Sequence, residues 1–138
     1  MKFIWNVEYG VGVEEFDEQH RHFFELASEI SDLSEKADID REILLKSISE
    51  FGDYAYYHMS SEEGYFRKYG YPDAPEHVAA HNIYRSQVKE YLERARESAS
   101  SAALIARELA EFSAHWLAKH ILEMDQKYTS FFLDKDTN

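Results

Sequence analysis

The sequence predicts an all-α fold: an up-down-up-down antiparallel four-helix bundle with an extended N-terminal arm. Three observations carry this. The 138 residues hold only five Gly and two Pro, against many Glu, Ala, Leu and Lys, a composition that favours helix. Both prolines fall in one stretch, Gly70-Tyr71-Pro72-Asp73-Ala74-Pro75, which divides the helical sequence into two halves. Apolar residues recur every three to four positions in four long segments, and short links between long amphipathic helices make them antiparallel neighbours. The length suits a single domain, residues 1–138, with a real core.

Residues 1–16 contain Gly10 and Gly12 and show no helical period, so they are read as an extended arm anchored by Phe3, Ile4 and Trp5. The first helix is expected near 17–36, with the stripe Phe16, His20, Phe23, Ala27, Ile30. Ala37-Asp38-Ile39-Asp40 reads as a connection, with Asp40 as N-cap of a second helix near 40–69. That helix turns Leu44, Ile48, Phe51, Ala55, His58, Glu62, Tyr65 and Tyr69 to one side. A third helix near 75–97 carries His77, His81, Tyr84, Val88, Tyr91 and Ala95 on one face. Glu97-Ser98-Ala99-Ser100-Ser101 is a polar link whose last serine stands ready to cap a fourth helix near 101–133. The inward stripe of that helix is Ala106, Leu109, Ser113, Leu117, His120, Met124, Tyr128, Phe131. Gly64 costs about 1 kcal/mol in a helix interior, and close packing is one reason to keep it.

Composition narrows the function classes. A net charge of −12 argues against nucleic acid, which is held by clustered Lys and Arg. Neither an apolar run of about 20 residues nor a basic-then-apolar leader appears, so neither a membrane span nor a secretory signal is expected. Zero Cys excludes disulfides, thiolate ligands and cysteine nucleophiles, and fits a cytoplasmic protein.

The chemistry-bearing residues are His20, the pair His58 and Glu62, the pair His77 and His81, and the pair His120 and Asp125. Singly these are weak signals: chance alone supplies about 0.9 His-x-x-x-Glu pairs in a chain of this composition. Their weight comes from position. Each lies on the stripe that its helix should bury, and antiparallel packing brings all seven to one end of the bundle. Unpaired buried polar groups cost roughly 1–3 kcal/mol each, whereas a metal cluster satisfies them together. One satisfied core histidine is ordinary; seven such groups on four faces at one level are not. His22 and His115 lie off these stripes and read as surface or structural residues.

Imidazoles and carboxylates suit iron or zinc, and carboxylates can bridge two ions. If Glu62 and Asp125 each bridge both ions, with a hydroxide or oxide as third bridge, then His77, His81 and His120 complete six-coordination on one ion. His20 and His58 leave the other with an open position, where a small ligand binds. Two ferrous ions, two carboxylates and a hydroxide sum to a charge of roughly +1, so the buried site is nearly neutral. One spacing is awkward. His120 and Asp125 are five apart, about 140° round an ideal helix, so both point inward only if the buried face is wide or a π-bulge stretches the turn; the bulge is the expectation carried forward.

Four motifs resemble those of the bacteriohemerythrins, within the hemerythrin family. They are Asp17-Glu18-Gln19-His20; His58-x-x-x-Glu62-Glu63; Tyr71-Pro72 followed by His77-x-x-x-His81; and Trp116-Leu117-x-x-His120-Ile121-x-x-x-Asp125. Trp5 and the Gly12-Val13 step of the arm also fit, so the resemblance covers nearly the whole chain. It implies a non-haem di-iron centre, two iron ions with a bridging oxo or hydroxo group, that binds O2 reversibly as a carrier, store or sensor. O2 would take the open position on the iron held by His20 and His58. Trp116, Leu117 and Ile121 flank the site by spacing and would keep that position apolar and dry. The family often carries Phe after the second-helix histidine; Met59 stands there, which alters the pocket's shape.

The competing reading is an enzyme: a di-iron oxidase, a peroxidase or a nitric-oxide-handling protein. Oxygen-activating ferritin-like sites use Glu-x-x-His pairs and more carboxylates. The donors here are imidazole-rich and include no such pair, which favours reversible binding. The tyrosine-rich stripes read first as core; a hydrogen bond from Tyr128 to the cluster is the less favoured reading of that residue.

Overall fold

The computed structural model describes the backbone of residues 2–97 and 101–136 and the side chains up to 132. Helix α1 spans Glu14–Ser34, α2 Arg41–Tyr69, α3 Ala74–Glu97 and α4 Ala102–Glu123; a short α5 covers Tyr128–Asp136. Among the described residues there is no strand. α1 packs on α2, α2 on α3, α3 on α4, and α4 back on α1, which closes the square of the bundle. The inward stripes are the core: Phe16, Phe23, Leu44, Ile48, Phe51, Tyr84, Leu109 and Leu117 are all buried. No helix among the described residues is long and apolar enough to cross a membrane.

The corners follow from local chemistry. Asp40 caps α2 as expected, its side chain accepting from the Glu42 N–H at 2.8 Å. At the other end Gly70 adopts φ 64° and ψ 45°, and the Tyr71 N–H donates back to the Phe66 carbonyl at 3.0 Å. This is a Schellman ending, completed by the Phe66 and Tyr71 rings, whose centroids lie 5.0 Å apart. Pro75 then sits in the first turn of α3, where its missing N–H leaves no bond unmade. The corner places His77 just inside α3. Ser101 occupies the N-cap position of α4, without a side-chain capping bond; most of the expected polar link, 98–100, lies outside the described residues.

Four expectations are corrected. The arm is not extended throughout: Val7–Tyr9 form a 3₁₀ turn, with the Asn6 side chain accepting from the Glu8 N–H, and α1 begins at Glu14 rather than 17. The acidic first turn of α1, with Glu14, Glu15 and Asp17, suits its positive dipole end. Phe3 and Trp5 pack on the core, but Ile4 is 67 % exposed, because successive side chains of an extended segment point to opposite sides. Gly64 marks no close approach: an added Cβ would meet nothing nearer than Arg67 Nη2 at 3.9 Å.

The fourth correction is the largest. α4 does not continue to 133, and no π-bulge aligns His120 with Asp125. The helix stops at Met124 (φ −123°, ψ −52°), whose N–H still reaches the His120 carbonyl at 2.8 Å, and Asp125–Lys127 form a 3₁₀ turn. The chain solves the five-residue spacing by breaking and tightening the helix rather than widening it. The break rephases the C-terminal residues, so Phe132 enters the core while Phe131 is only partly buried.

The arm is bonded across this end of the bundle. The Val11 N–H donates to Asp17 Oδ1 at 2.9 Å, and its carbonyl accepts from Thr129 Oγ1 at 2.7 Å. Arg21 lies 4.1 Å over the Trp5 ring.

Two glycine substitutions should have opposite signs. Gly64→Ala is expected to stabilise the chain by about 0.5–1 kcal/mol, because it restores helix propensity in open space. Gly70→Ala is expected to destabilise it by roughly 1–2 kcal/mol through the left-handed backbone alone, since no atom lies within 4 Å of the new Cβ. Denaturant unfolding of both variants checks the pair.

Candidate metal centre

All seven sequence-identified donors are buried, and the structure brings them together. They form two overlapping groups. Glu62, His77, His81, His120 and Asp125 offer one donor atom each, all within 4.8 Å of one another; His20, His58, Glu62 and Asp125 do the same. Glu62 and Asp125 belong to both groups. The three-and-two division of the histidines is the one that the ligand count anticipates.

The finer geometry suits small ions. Asp125 divides its oxygens: Oδ1 lies 2.8 Å from His77 Nε2 and 3.0 Å from His120 Nε2, whereas Oδ2 lies 3.2 Å from His20 Nε2. The two imidazole nitrogens His77 Nε2 and His120 Nε2 are 3.0 Å apart, so with Asp125 Oδ1 they make a near-equilateral triangle. Adjacent ligands about 2.1 Å from one octahedral ion are about 3.0 Å apart, so this triangle has the size of one octahedral face. Glu62 Oε1 lies 3.3 Å from His58 Nε2 and 3.4 Å from His81 Nε2, and its Oε2 is 3.8 Å from His20 Nε2.

Seven buried polar atoms here have no hydrogen-bond partner: both ring nitrogens of His20, Nε2 of His58 and His81, Oε1 of Glu62, and both oxygens of Asp125. Burying such a group costs roughly 1–3 kcal/mol where it has no partner at all, and the ion contacts within the cluster offset only part of that. The donor set fits a cation pair, which would satisfy six of these atoms together; His20 Nδ1, on the far side of its ring from the centre, is the exception.

Charge is balanced inside the cluster. Burial alone would raise the carboxyl groups of Glu62 and Asp125, yet the facing imidazoles hold both well below the usual carboxylate range. Burial lowers His58, and the neighbouring His20 adds to that. His20 and His81 go the other way: burial opposes their charge, but His20 is raised by Asp125 and Glu62, and His81 by Glu62 and Glu63, to about 9.

The rings are oriented from outside. His58 Nδ1 lies 2.7 Å from Gln19 Oε1, and His81 Nδ1 lies 2.7 Å from Glu63 Oε2. An Nδ1–H donated outward turns Nε2 to the centre, where a metal takes its lone pair, in His81 by displacing a proton. Trp116 stacks on His120 at 4.4 Å and 13°, and on Tyr84 at 4.2 Å. The Tyr128 hydroxyl donates to Glu62 Oε2 at 2.6 Å; burial and the nearby Glu62 and Asp125 charges push its phenol well above the ordinary range, so the proton stays.

Met59, Leu117 and Ile121 are fully buried, whereas Trp116 is partly exposed and lies against the three-histidine group. His22 and His115 are exposed, the former beside Glu25 and the latter edge-on to Phe3. Gln19 and Glu63 stand in the family-like motifs of the sequence with no bracing role assigned to them, and Arg85 has no place in that reading. Signals for them existed, since Gln19 and Glu63 each adjoin a donor and Arg85 follows His81 by one turn.

Comparison with known proteins agrees with this geometry. A family model described as the hemerythrin HHE cation-binding domain matches residues 11–131. A bacteriohemerythrin of Clostridium acetobutylicum is 28 % identical over 128 residues, covering 91 % of this chain and 98 % of its own. One from Stenotrophomonas maltophilia is 29 % identical over 125 residues, 91 % of this chain and 78 % of its own. A crystal structure of wild-type hemerythrin superposes with a TM-score of 0.80 at 26 % identity, covering 91 % of this chain and 94 % of that one. With its buried donors at one end of an antiparallel bundle and the family match spanning nearly all of it, the chain belongs to the hemerythrin family.

Proposed function

We propose that the chain binds O2 reversibly at a non-haem di-iron centre, as a carrier, store or sensor. The observation that supports this most is the pair of donor groups sharing Glu62 and Asp125, one with three histidines and one with two. His77, His81 and His120 would hold one iron, and His20 and His58 the other, with the two carboxylates and an oxo or hydroxo group between them. When bound, two ferrous ions supply the two electrons that reversible O2 binding moves onto the ligand and back. The protein's part is to place and shield. Outward hydrogen bonds from His58 and His81 turn Nε2 toward the centre, and Tyr128 keeps its proton while donating a hydrogen bond to Glu62, drawing charge from that carboxylate. Met59, Leu117 and Ile121 are buried apolar residues that would wall the centre, and Trp116 braces His120; a dry wall would keep protons away from a bound ligand.

Loading the chain with iron should give two irons per chain, and cycling the reduced protein between O2 and vacuum should switch its visible absorption fully and repeatedly. Rapid one-way oxidation with turnover of a reductant would instead favour the enzyme reading. His77→Ala and His120→Ala are each expected to drop the iron content to one per chain or fewer, whereas His22→Ala and His115→Ala keep two. Retention of two irons by the first pair would overturn the ligand assignment.

The chelator-stripped chain should show a pH signature. His81, raised to about 9 from 6.5, contributes stability that is complete below pH 6.5 and is lost as pH climbs to about 9. Glu62 and Asp125, held low, contribute above their ordinary values near 4.5 and 3.8 and lose that contribution on acidification. Denaturant unfolding across pH should therefore fall off on the alkaline side for the stripped chain, and less so once iron replaces the proton.

A further inference from the structure

The two donor groups are braced by different chemistry. Behind His81 stands a carboxylate: Glu63 Oε2 lies 2.7 Å from Nδ1, and Arg85 grips Glu63 at 2.7 and 3.1 Å. Arg85 is itself positioned, with Ser60 Oγ at 3.4 Å and the Tyr56 ring 4.6 Å away. Both Glu63 oxygens are taken by the two Arg85 nitrogens, the forked contact that a carboxylate makes with a guanidinium. Behind His58 stands a neutral amide, Gln19 Oε1 at 2.7 Å, on a buried side chain. An imidazole N–H donating to a carboxylate pushes more charge onto its ring than one donating to an amide, and so presents a stronger donor at Nε2. Arg85 tempers this push without cancelling it, because the carboxylate touches the imidazole directly.

We propose that Glu63 and Gln19 are positioning residues that make the two halves of the centre unequal. Glu63, acting through His81, makes the three-histidine half the tighter ion site and the first to be oxidised. Gln19, acting through His58, leaves the two-histidine half the weaker site and the slower to oxidise. The half with the open position then keeps its reducing power for the incoming ligand. This rests on the two-ion reading above. Ligand number already biases the halves in the same direction, so exchanging the bracing residues, which changes no ligand, isolates their part.

The test is an anaerobic titration of the chelator-stripped full chain with Fe2+, read as two successive dissociation constants and followed by stepwise oxidation monitored by electron paramagnetic resonance. Glu63→Gln is expected to weaken the first-filled site by about 10–100-fold, to leave the second nearly unchanged, and to raise the potential at which the first iron oxidises. Gln19→Glu is expected to tighten the second site and lower the potential of its iron. A mere loss of packing would weaken both sites in both variants, and that outcome overturns the proposal, as does the absence of any change. Should Glu63→Gln not fold, Gln19→Glu carries the test alone: a tighter second site supports the proposal, and no tightening overturns it. Fewer than two irons in the unaltered chain would sink the two-ion reading along with this one. Two irons whose constants ignore both exchanges would sink this inference only.

Discussion

Five imidazoles and two carboxylates are held in the dry interior at one level of the bundle, and most other features of the molecule are arranged to allow it. Charged or half-satisfied groups in such a place are tolerated only where opposite charges and outward hydrogen bonds compensate them. The carboxyls of Glu62 and Asp125 are held low by the rings around them, and their charges in turn raise His20 and His81. The requirement propagates along every helix. His20 lies two turns into α1, the Gly70 corner sets His77 at the start of α3, and the break after Glu123 swings Asp125 back toward the others.

Packing around the cluster converts a collection of donors into a defined geometry. Trp116 lies between His120 and Tyr84 in a nearly parallel stack, and Phe66 closes on His77 with ring centroids 4.7 Å apart. Phe16 and Phe23 each meet His58 edge-on, and the His58 ring is held at its far nitrogen by Gln19. A flat ring with one fixed nitrogen and packed faces has one orientation left. Preorganisation of this kind spares an incoming ligand the cost of ordering its site.

Much of this was legible in the sequence, and the parts that were not have identifiable physical causes. Helical periodicity marked the buried stripe of each helix, and antiparallel packing put the donors at one end, because both depend on average helix geometry. The link between His120 and Asp125 failed that test: an average helix cannot say whether a five-residue spacing is met by a wide turn or a tight one, and the chain uses a 3₁₀ turn. Ile4 was misplaced because three apolar residues in a row look alike on paper, whereas an extended segment sends the middle one outward. Gln19, Glu63 and Arg85 escaped because their roles depend on side-chain rotamers across helices. Polar residues beside a buried stripe ordinarily face water. Tyr128, read first as core, is both core and hydrogen-bond donor.

The bonds that tie Val11 to Asp17 and Thr129 bear on how the molecule assembles in time. The tie from Val11 to Thr129 joins residues 118 apart, whereas His81 and Glu63, 18 apart, meet within the α2–α3 hairpin. Loop-closure entropy grows with the length enclosed, and contacts distant along the chain form slowly. The part of the centre carried by the α2–α3 hairpin, Glu62, His77 and His81, therefore belongs to the early, local part of folding. His120 and Asp125 join when the last helix docks, and the two-histidine half needs His20 of the first helix as well, so it is the later of the two to become whole.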